Sequence, residues 1–468
     1  MKSFKKYIFI ALCSTASLSI SSCEKQLDVE NVNLMSEAVT NTSQLDAYMR
    51  SIYDVAANVN NGNYQLFSDL PSDDLAKPYN DNGTFRTEAY TRTTTIFNSD
   101  LIGLYTDLYR IIYRANNLEL VYPNVSDLTD EVEKRTRAEA AFLRAYAHYK
   151  VLLLWAQPAG YTPDNSHLGI VIRKEASASP VARSTVADSY AAILSDLNYA
   201  IANLPSTNGV YADVDAAKAL KAMVLFQMND YTNALPILNE VIDGGRFLLS
   251  DSVDRYYPNN ISPSNRNPEF VFGFSSPGIG DNRGGTFNGS YRVAGAQPSL
   301  SISKELFDLI KADSTDIRGN LVREYNSGQA NAYYAVRKFD DVYFGTPAIT
   351  VTHLLFARAE ILARTSSTPQ AVADINKIIE RAYPGNVNKL LPSNALQTDI
   401  LNTIVLERRK EFFAEGDRLS YIRRLGAFYN RTGTVIRGAN WDCDGLTFQF
   451  PSNEKSAVFI FNPTNSCN

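Results

Sequence analysis

Apolar positions recur at helical spacing over most of this chain. Leu45, Tyr48, Met49, Ile52 and Tyr53 predict a helix over 44–58, and Leu101, Leu104, Tyr105, Leu108, Ile111, Ile112 and Leu118 predict another over 100–122. The stretch 131–156 is dense in Ala, Leu, Arg and Glu and is stopped by Pro158 and Gly160, the strongest helical signal of all. A further helix over 186–204 ends at Pro205.

Two later segments repeat one another. Residues 214–229 turn at Asn229-Asp230 into 231–243, and 352–382 has the same layout. Ala222, Leu225, Ala234, Leu238 and Val241 match Ala359, Leu362, Ala371, Ile375 and Ile378, each 137 positions on. Small residues at the crossing let two helices approach closely, as in a tetratricopeptide hairpin. Pairing 45–58 with 100–122, and 131–156 with 186–204, gives further units with inserted loops. The expectation is a mainly α fold of about four such hairpins in a partial superhelix, with a loop-rich region carrying short strands.

The pattern fails in two places. Residues 60–98 are rich in Asn, Asp, Thr and Gly without a sustained period. Residues 244–298 hold one alternating run, Phe270, Phe272 and Phe274, which reads as a strand, and then a Gly/Asn/Ser-rich stretch over 276–298. Ser303 is placed to cap a helix over 304–312. A charged amphipathic helix spans 401–425, broken or bent near Gly416. The runs 446–450 and 457–461 are expected to pair as a β-hairpin.

The N-terminus changes the compartment. Lys2, Lys5 and Lys6 precede a mostly apolar run over 7–20, too short to span a bilayer comfortably, and Ser21-Ser22-Cys23 follows. Small residues directly before a cysteine have the form of a bacterial lipoprotein cleavage site. The expected organisation is a signal peptide over 1–22, a lipid anchor on Cys23 with a tether to residue 40, and one domain over 41–468. Cleavage removes three lysines and no acid, so the net charge moves from −5 to −8. That argues against nucleic acid as a partner, since phosphate binding needs a basic face. It also leaves membrane attachment to the lipid. Cys443 and Cys467 remain after export, either as a disulfide or as two buried thiols.

Catalytic and metal signatures are sparse. His148, His167 and His353 have no metal-pair spacing, and neither HExxH, GxSxG nor GxxxxGK[ST] occurs. Asp442-Cys443-Asp444-Gly445 hints at a calcium loop but lacks the closing Glu. No cofactor is expected. Glu407, Glu411 and Glu415 lie four apart beside Arg408, Arg409 and Lys410, a pattern better read as ion-paired helix faces than as an acid–base pair. Turn and cap chemistry accounts for Asp69, Asp73 and Asp74. Tyrosine is abundant, at 27 residues, and offers flat faces with hydroxyls that suit sugars and peptides alike.

Several stretches together resemble the SusD/RagB family. Arg137-Ala138-Glu139-Ala140-Ala141-Phe142-Leu143-Arg144-Ala145-Tyr146 is similar to its EARFLRAF helix. The segment from Glu407 to Arg418, followed by Arg423-Arg424-Leu425-Gly426, is similar to its ERRxELxFEGxR and LxRxG stretches. Residues 334–339, Ala357-Arg358-Ala359-Glu360 and Leu27-Asp28-Val29 also fit, and Phe450-Pro451-Ser452-Asn453-Glu454 resembles the terminal PxxE. The tail over 458–468 and the Cys443/Cys467 pair depart from the family pattern.

The resemblance implies a non-enzymatic outer-membrane lipoprotein that captures oligosaccharide, or peptide in the RagB branch, for a SusC-like transporter driven through TonB. A surface glycoside hydrolase is the less favoured alternative. The signature helices are scaffold in that family, so ligand residues are sought on the insertions near 60–98 and 244–298. Tyr64, Tyr79, Phe85, Phe287, Asn288 and Tyr291 supply the appropriate chemistry, and the two insertions are expected to meet around one shallow depression.

Overall fold

The computed structural model describes residues 38–81, 85–254, 256, 267–275, 283–341, 343–365, 368–430, 435–464 and 467. Cys23, with the signal and nearly all of the tether, lies outside them. In chain order the helices begin with α1 (Thr42–Val59), two short ones, α2 (Asn63–Asp69) and α3 (Phe85–Thr91), and α4 (Ser99–Val121). Then come α5 (Asp130–Trp155), α6 (Val186–Asn203), α7 (Val214–Gln227), α8 (Tyr231–Asp243), α9 (Gly285–Tyr291) and α10 (Lys304–Lys311). The chain continues with α11 (Val351–Thr365), α12 (Thr368–Ala382), α13 (Gln397–Glu411) and α14 (Arg418–Phe428).

Four antiparallel pairs form the scaffold: α1 with α4, α5 with α6, α7 with α8, and α11 with α12. Neighbouring hairpins pack through α4 on α5, α6 on α7 and α8 on α11, and α13 closes the stack against α11 and α12. Ala222, Ala234, Ala359 and Ala371 are all fully buried at the two repeat crossings. Helix starts are fixed by side-chain caps. Asn41, Asn98, Thr129, Thr185, Asp213 and Asp230 each accept a first-turn backbone N–H, satisfying donors that the helix itself leaves open. Ser303 caps α10 in the same way.

The remaining chain lies alongside this stack. β1 (Phe270–Phe274) pairs antiparallel with β4 (Thr346–Thr350), and β2 (Val322–Tyr325) with β3 (Tyr333–Val336). Every residue of β1 is buried, with Phe272 edge-on to Phe142 and Tyr146 of α5. This strand ties the non-repeat region to the hairpins.

Two expectations are corrected and one is borne out. The insertions are not plain loops, since each carries short helices. The 401–425 helix is broken near Gly416, as expected: between Glu411 and Arg418, Ala414 and Gly416 take φ values of 61° and 80°. A β-carbon on Gly416 would lie 2.8 Å from Gln65 Cα, so α2 packs directly on the break. Finally, 446–450 and 457–461 form no hairpin. The two runs are joined by amide side chains: Gln449 Nε2 donates to the Asn462 and Pro463 carbonyls, and Asn462 Nδ2 to those of Trp155 and Phe448. Their aromatic residues pack edge-on instead, Phe450 against Phe459 at 5.1 Å.

Candidate functional site

The two insertions do come together. Tyr79 N–H donates to the Ser299 carbonyl and Ala76 N–H to that of Ser301, both at 2.9 Å, and Phe287 N–H donates to the Asn61 carbonyl at 3.1 Å. Arg86 Nη1 reaches Ser299 Oγ at 2.8 Å. Gly62 has a φ of 116°, and a β-carbon there would meet Phe287 N at 2.5 Å, so this close crossing requires glycine.

The six predicted ligand residues separate into three groups. Tyr79 is 43% exposed and Phe85 is half-buried, both on the outer side of the junction. Phe287 and Tyr291 are fully buried, which corrects their assignment as ligand faces. Phe287 stacks on Phe339 at 4.2 Å within a cluster that includes Tyr256 and Phe344, and Tyr291 lies 5.4 Å from Phe339. Their spacing of four puts both rings on the inner face of α9. Asn288 is a brace: its Nδ2 donates to the carbonyls of Phe339 and Asp341, both at 2.9 Å. Tyr64 is also corrected. It faces inward, only 3% exposed, onto a cavity behind α2.

The signature stretch from Glu407 to Arg424 is a charge core. Arg318 pairs with Asp316, Glu407 and Glu411, and Arg381 bridges Glu269 and Glu411. Lys338 Nζ holds Glu415 at 2.7 Å and also donates to the carbonyls of Glu411 and Phe413. Arg408 clasps Asp417 in two bonds of 2.7 and 2.6 Å, and Arg424 clasps Glu360 at 2.7 and 2.8 Å. The carboxylates are ion-paired, as expected, but mostly to cations far along the chain rather than to helix neighbours. With both lone-pair faces occupied by cations, Glu407 and Glu411 are poorly placed for acid–base work.

The acidic run 69–74 belongs to this core too, beyond turn and cap chemistry. Arg418 makes a bidentate pair with Asp73, and Arg409 Nε binds Asp74 at 2.7 Å. Asp69 accepts Gly416 N–H at 2.8 Å. Burial, reinforced by the nearby Asp74 charge, pushes the Asp69 carboxyl well above the usual range. Thus α2, next to the insertion junction, is tied to the 412–417 break by the Asp69–Gly416 hydrogen bond, and the turn after α2 is tied to α13 and α14 by ion pairs.

The histidines are structural in setting. His148 is buried with both ring nitrogens unpartnered and its pKa lowered by burial to about 3. His167 is held by Thr162 and the Gln157 carbonyl. His353 is held by Thr350 and stacks on Phe412 at 4.1 Å. Among the described residues no group of three or more His, Cys, Asp or Glu is placed to hold a metal. Cys443 and Cys467 are joined as a disulfide, with Cα atoms 5.7 Å apart. Sequence reasoning overlooked Lys150, which stands with Tyr146 and Tyr149 on one face of α5. Its signal was the i, i+3, i+4 spacing of two tyrosines and a lysine.

Comparison with known proteins fits this architecture. Residues 25–224 match a SusD-like family described as starch-binding and associating with the outer membrane, and residues 345–449 match the SusD family. A SusD-like protein of Formosa agariphila is 27% identical over 165 residues, which is 33% of this chain and 29% of that relative's length. A SusD superfamily protein of Bacteroides thetaiotaomicron superposes with a TM-score of 0.76 at 21% identity, over 90% of this chain and 100% of the other. One from Bacteroides vulgatus gives 0.75 at 18%, over 90% and 99%. A laminarin-binding SusD-like protein gives 0.70 at 19%, over 91% and 99%. At these identities the structural likeness is one of fold. No helix among the described residues is long and apolar enough to cross a membrane. SusD-like family profiles thus match in both halves of the chain, and the four-hairpin scaffold has the fold of the SusD superfamily structures.

Proposed function

We propose that this protein is a cell-surface nutrient-binding lipoprotein that captures oligosaccharide and passes it to a SusC-like, TonB-dependent transporter. The family match over residues 25–224 carries the reading, because that family is described as starch-binding and outer-membrane-associated. The laminarin-binding relative shares the fold and favours glycan over peptide. On this chain the ligand face is the outer side of the insertion junction, with the exposed ring of Tyr79 as stacking platform and Phe85 and Arg86 beside it. An aromatic face stacks on a sugar ring while neighbouring polar groups serve its hydroxyls through direct or water-mediated bonds. Binding without cleavage agrees with the pairing of the signature carboxylates. Cys23 is the anchor in this reading, exported by residues 1–22.

The test is a binding screen of the soluble protein lacking residues 1–23 against laminarin and starch oligosaccharides and against peptides. Saturable glycan binding is the expected result. Peptide binding with no glycan binding would overturn the glycan assignment in favour of a RagB-like role. Cys23→Ala should move the full-length protein out of the membrane fraction, and retention of that variant through a high-salt wash would defeat the anchoring claim.

A further inference from the structure

The cavity behind α2 carries chemistry that glycan capture at the outer face does not use. It measures about 100 Å³ and lies between α2, α5, α7 and the 415–421 segment. Lys150 enters it from α5. Its Nζ sits 3.9 Å from the centre of the Tyr64 ring and 5.3 Å from that of Tyr146, and it has no hydrogen-bond or ion-pair partner among the described residues. The other charged groups of the wall are spoken for: Arg408 by Asp417, Glu415 by Lys338, and His353 by Thr350. The wall therefore carries one uncompensated positive charge at Lys150.

Two more polar atoms of the wall lack partners. Arg408 Nη1 is an unused donor and Gln65 Oε1 an unused acceptor, on residues only 3% and 5% exposed. Buried polar atoms left unpaired cost roughly 1–3 kcal/mol each, so native proteins rarely keep them without a water, an ion or a ligand. An anion satisfies the cation and the donor, and a hydroxyl satisfies the acceptor. An apolar cavity of about 150 Å³ holds a benzene molecule, so this one suits an acid of three or four carbons.

We propose that this cavity is a binding site for a small hydroxylated carboxylate, with the carboxylate held by Lys150 and the hydroxyl donating to Gln65 Oε1. Tyr64 and Tyr146 flank the ammonium, and Tyr149, Tyr256, Tyr421, His353, Arg408, Asp417 and Glu415 complete the titratable and charged groups around it. Burial lowers the Lys150 amine to about 7, against the opposing pull of Asp417. A bound carboxylate favours the ammonium form, so binding near neutral pH takes up protons. Affinity is then constant below pH 7 and falls above it, towards tenfold per unit.

Calorimetric titration of the full-length protein in detergent with L-lactate tests this, with propionate and glycerol as comparators. The expected result is lactate binding that weakens from pH 7 to pH 9, weaker propionate binding and none for glycerol. Lys150→Met, which keeps an apolar stem, should lose at least tenfold in affinity while unfolding at the wild-type temperature. Lys150→Arg should bind with the pH dependence gone. Absence of lactate binding by the folded wild type at pH 6, equal binding of glycerol, or unchanged affinity in Lys150→Met would each overturn the site. None of these outcomes depends on Tyr79 or on glycan capture at the outer face.

Discussion

The charge core around α13 and α14 and the insertion junction near α9 are both buried and polar-rich, yet they are held by opposite means. In the charge core, long cationic side chains meet carboxylates from elements far apart in sequence. At the junction, backbone groups bond across the two insertions and the aromatic rings turn inward. A buried ion pair costs desolvation on both sides and gives little net stability. Removing one partner, however, strands the other charge. An aromatic cluster tolerates polar change at its rim and loses its contribution when a ring is deleted. The core is therefore unforgiving at single charges and the junction at single rings, so at the junction only the outer skin is free to serve a glycan.

The largest effect should come from splitting a core pair. Arg424 is fully buried, and Glu360 is its carboxylate partner. Glu360→Ala should lower unfolding free energy by about 3–5 kcal/mol, read by urea denaturation. The double variant Glu360→Leu/Arg424→Met should recover much of that, since it leaves neither charge stranded. Burial raises the Glu360 pKa, but Arg424 and Arg364 outweigh it and hold the group at about 2. Its folded pKa is below the ordinary carboxylate value, so its contribution is complete above about pH 4.5 and is lost as pH falls towards 2. Glu360→Gln should flatten that part of the acid-denaturation curve. A loss below 1 kcal/mol in the single variant would erase the distinction between the two regions.

Next comes a ring of the junction. Phe287→Ala removes a fully buried side chain stacked on Phe339 and should cost about 3–5 kcal/mol. A free energy unchanged from wild type would mean that the ring is not packed and would return it to the ligand face.

The disulfide supplies a cross-check outside both regions. It joins positions 24 apart and ties down a tail otherwise held by Gln449 and Asn462. In the chain-entropy model such a loop stabilises by about 3 kcal/mol. Cys443→Ser/Cys467→Ser should lose roughly that amount by chemical denaturation and speed proteolysis after residue 443, with the α13–α14 charge core unaffected.

The sequence carried the scaffold because helix periodicity, capping residues and the 137-residue repeat are local or arithmetic signals. It missed what depends on long-range partners. Nothing near Glu411 announces Arg318 and Arg381, and nothing near Asp73 announces Arg418. Short elements were lost as well: α2 and α9 have seven residues each, under two turns, too few for a period to emerge. The spacing of Phe287 and Tyr291 by four was a readable sign of a buried helix face. The aromatic runs at 446–450 and 457–461 had strand composition, but Gln449 and Asn462 take the bonds that a ladder would have made.

The smallest expected change in stability falls on Tyr79, and it carries the most information about function. Its backbone is fixed by the bond to the Ser299 carbonyl, while 43% of the residue stays open to solvent. Tyr79→Ala keeps the backbone bond and removes only the ring, so stability should stay within about 0.5 kcal/mol of wild type. If the outer skin of the junction binds glycan, the same change should weaken oligosaccharide binding by about 1 kcal/mol, close to fivefold in Kd, because one stacking contact is lost. Tyr79→Phe should restore most of it, since the face rather than the hydroxyl does the stacking. Intact affinity in Tyr79→Ala would move the ligand face away from the junction. A large loss of stability would show that the exposed ring is structural and that the junction, like the charge core, has no surface to spare.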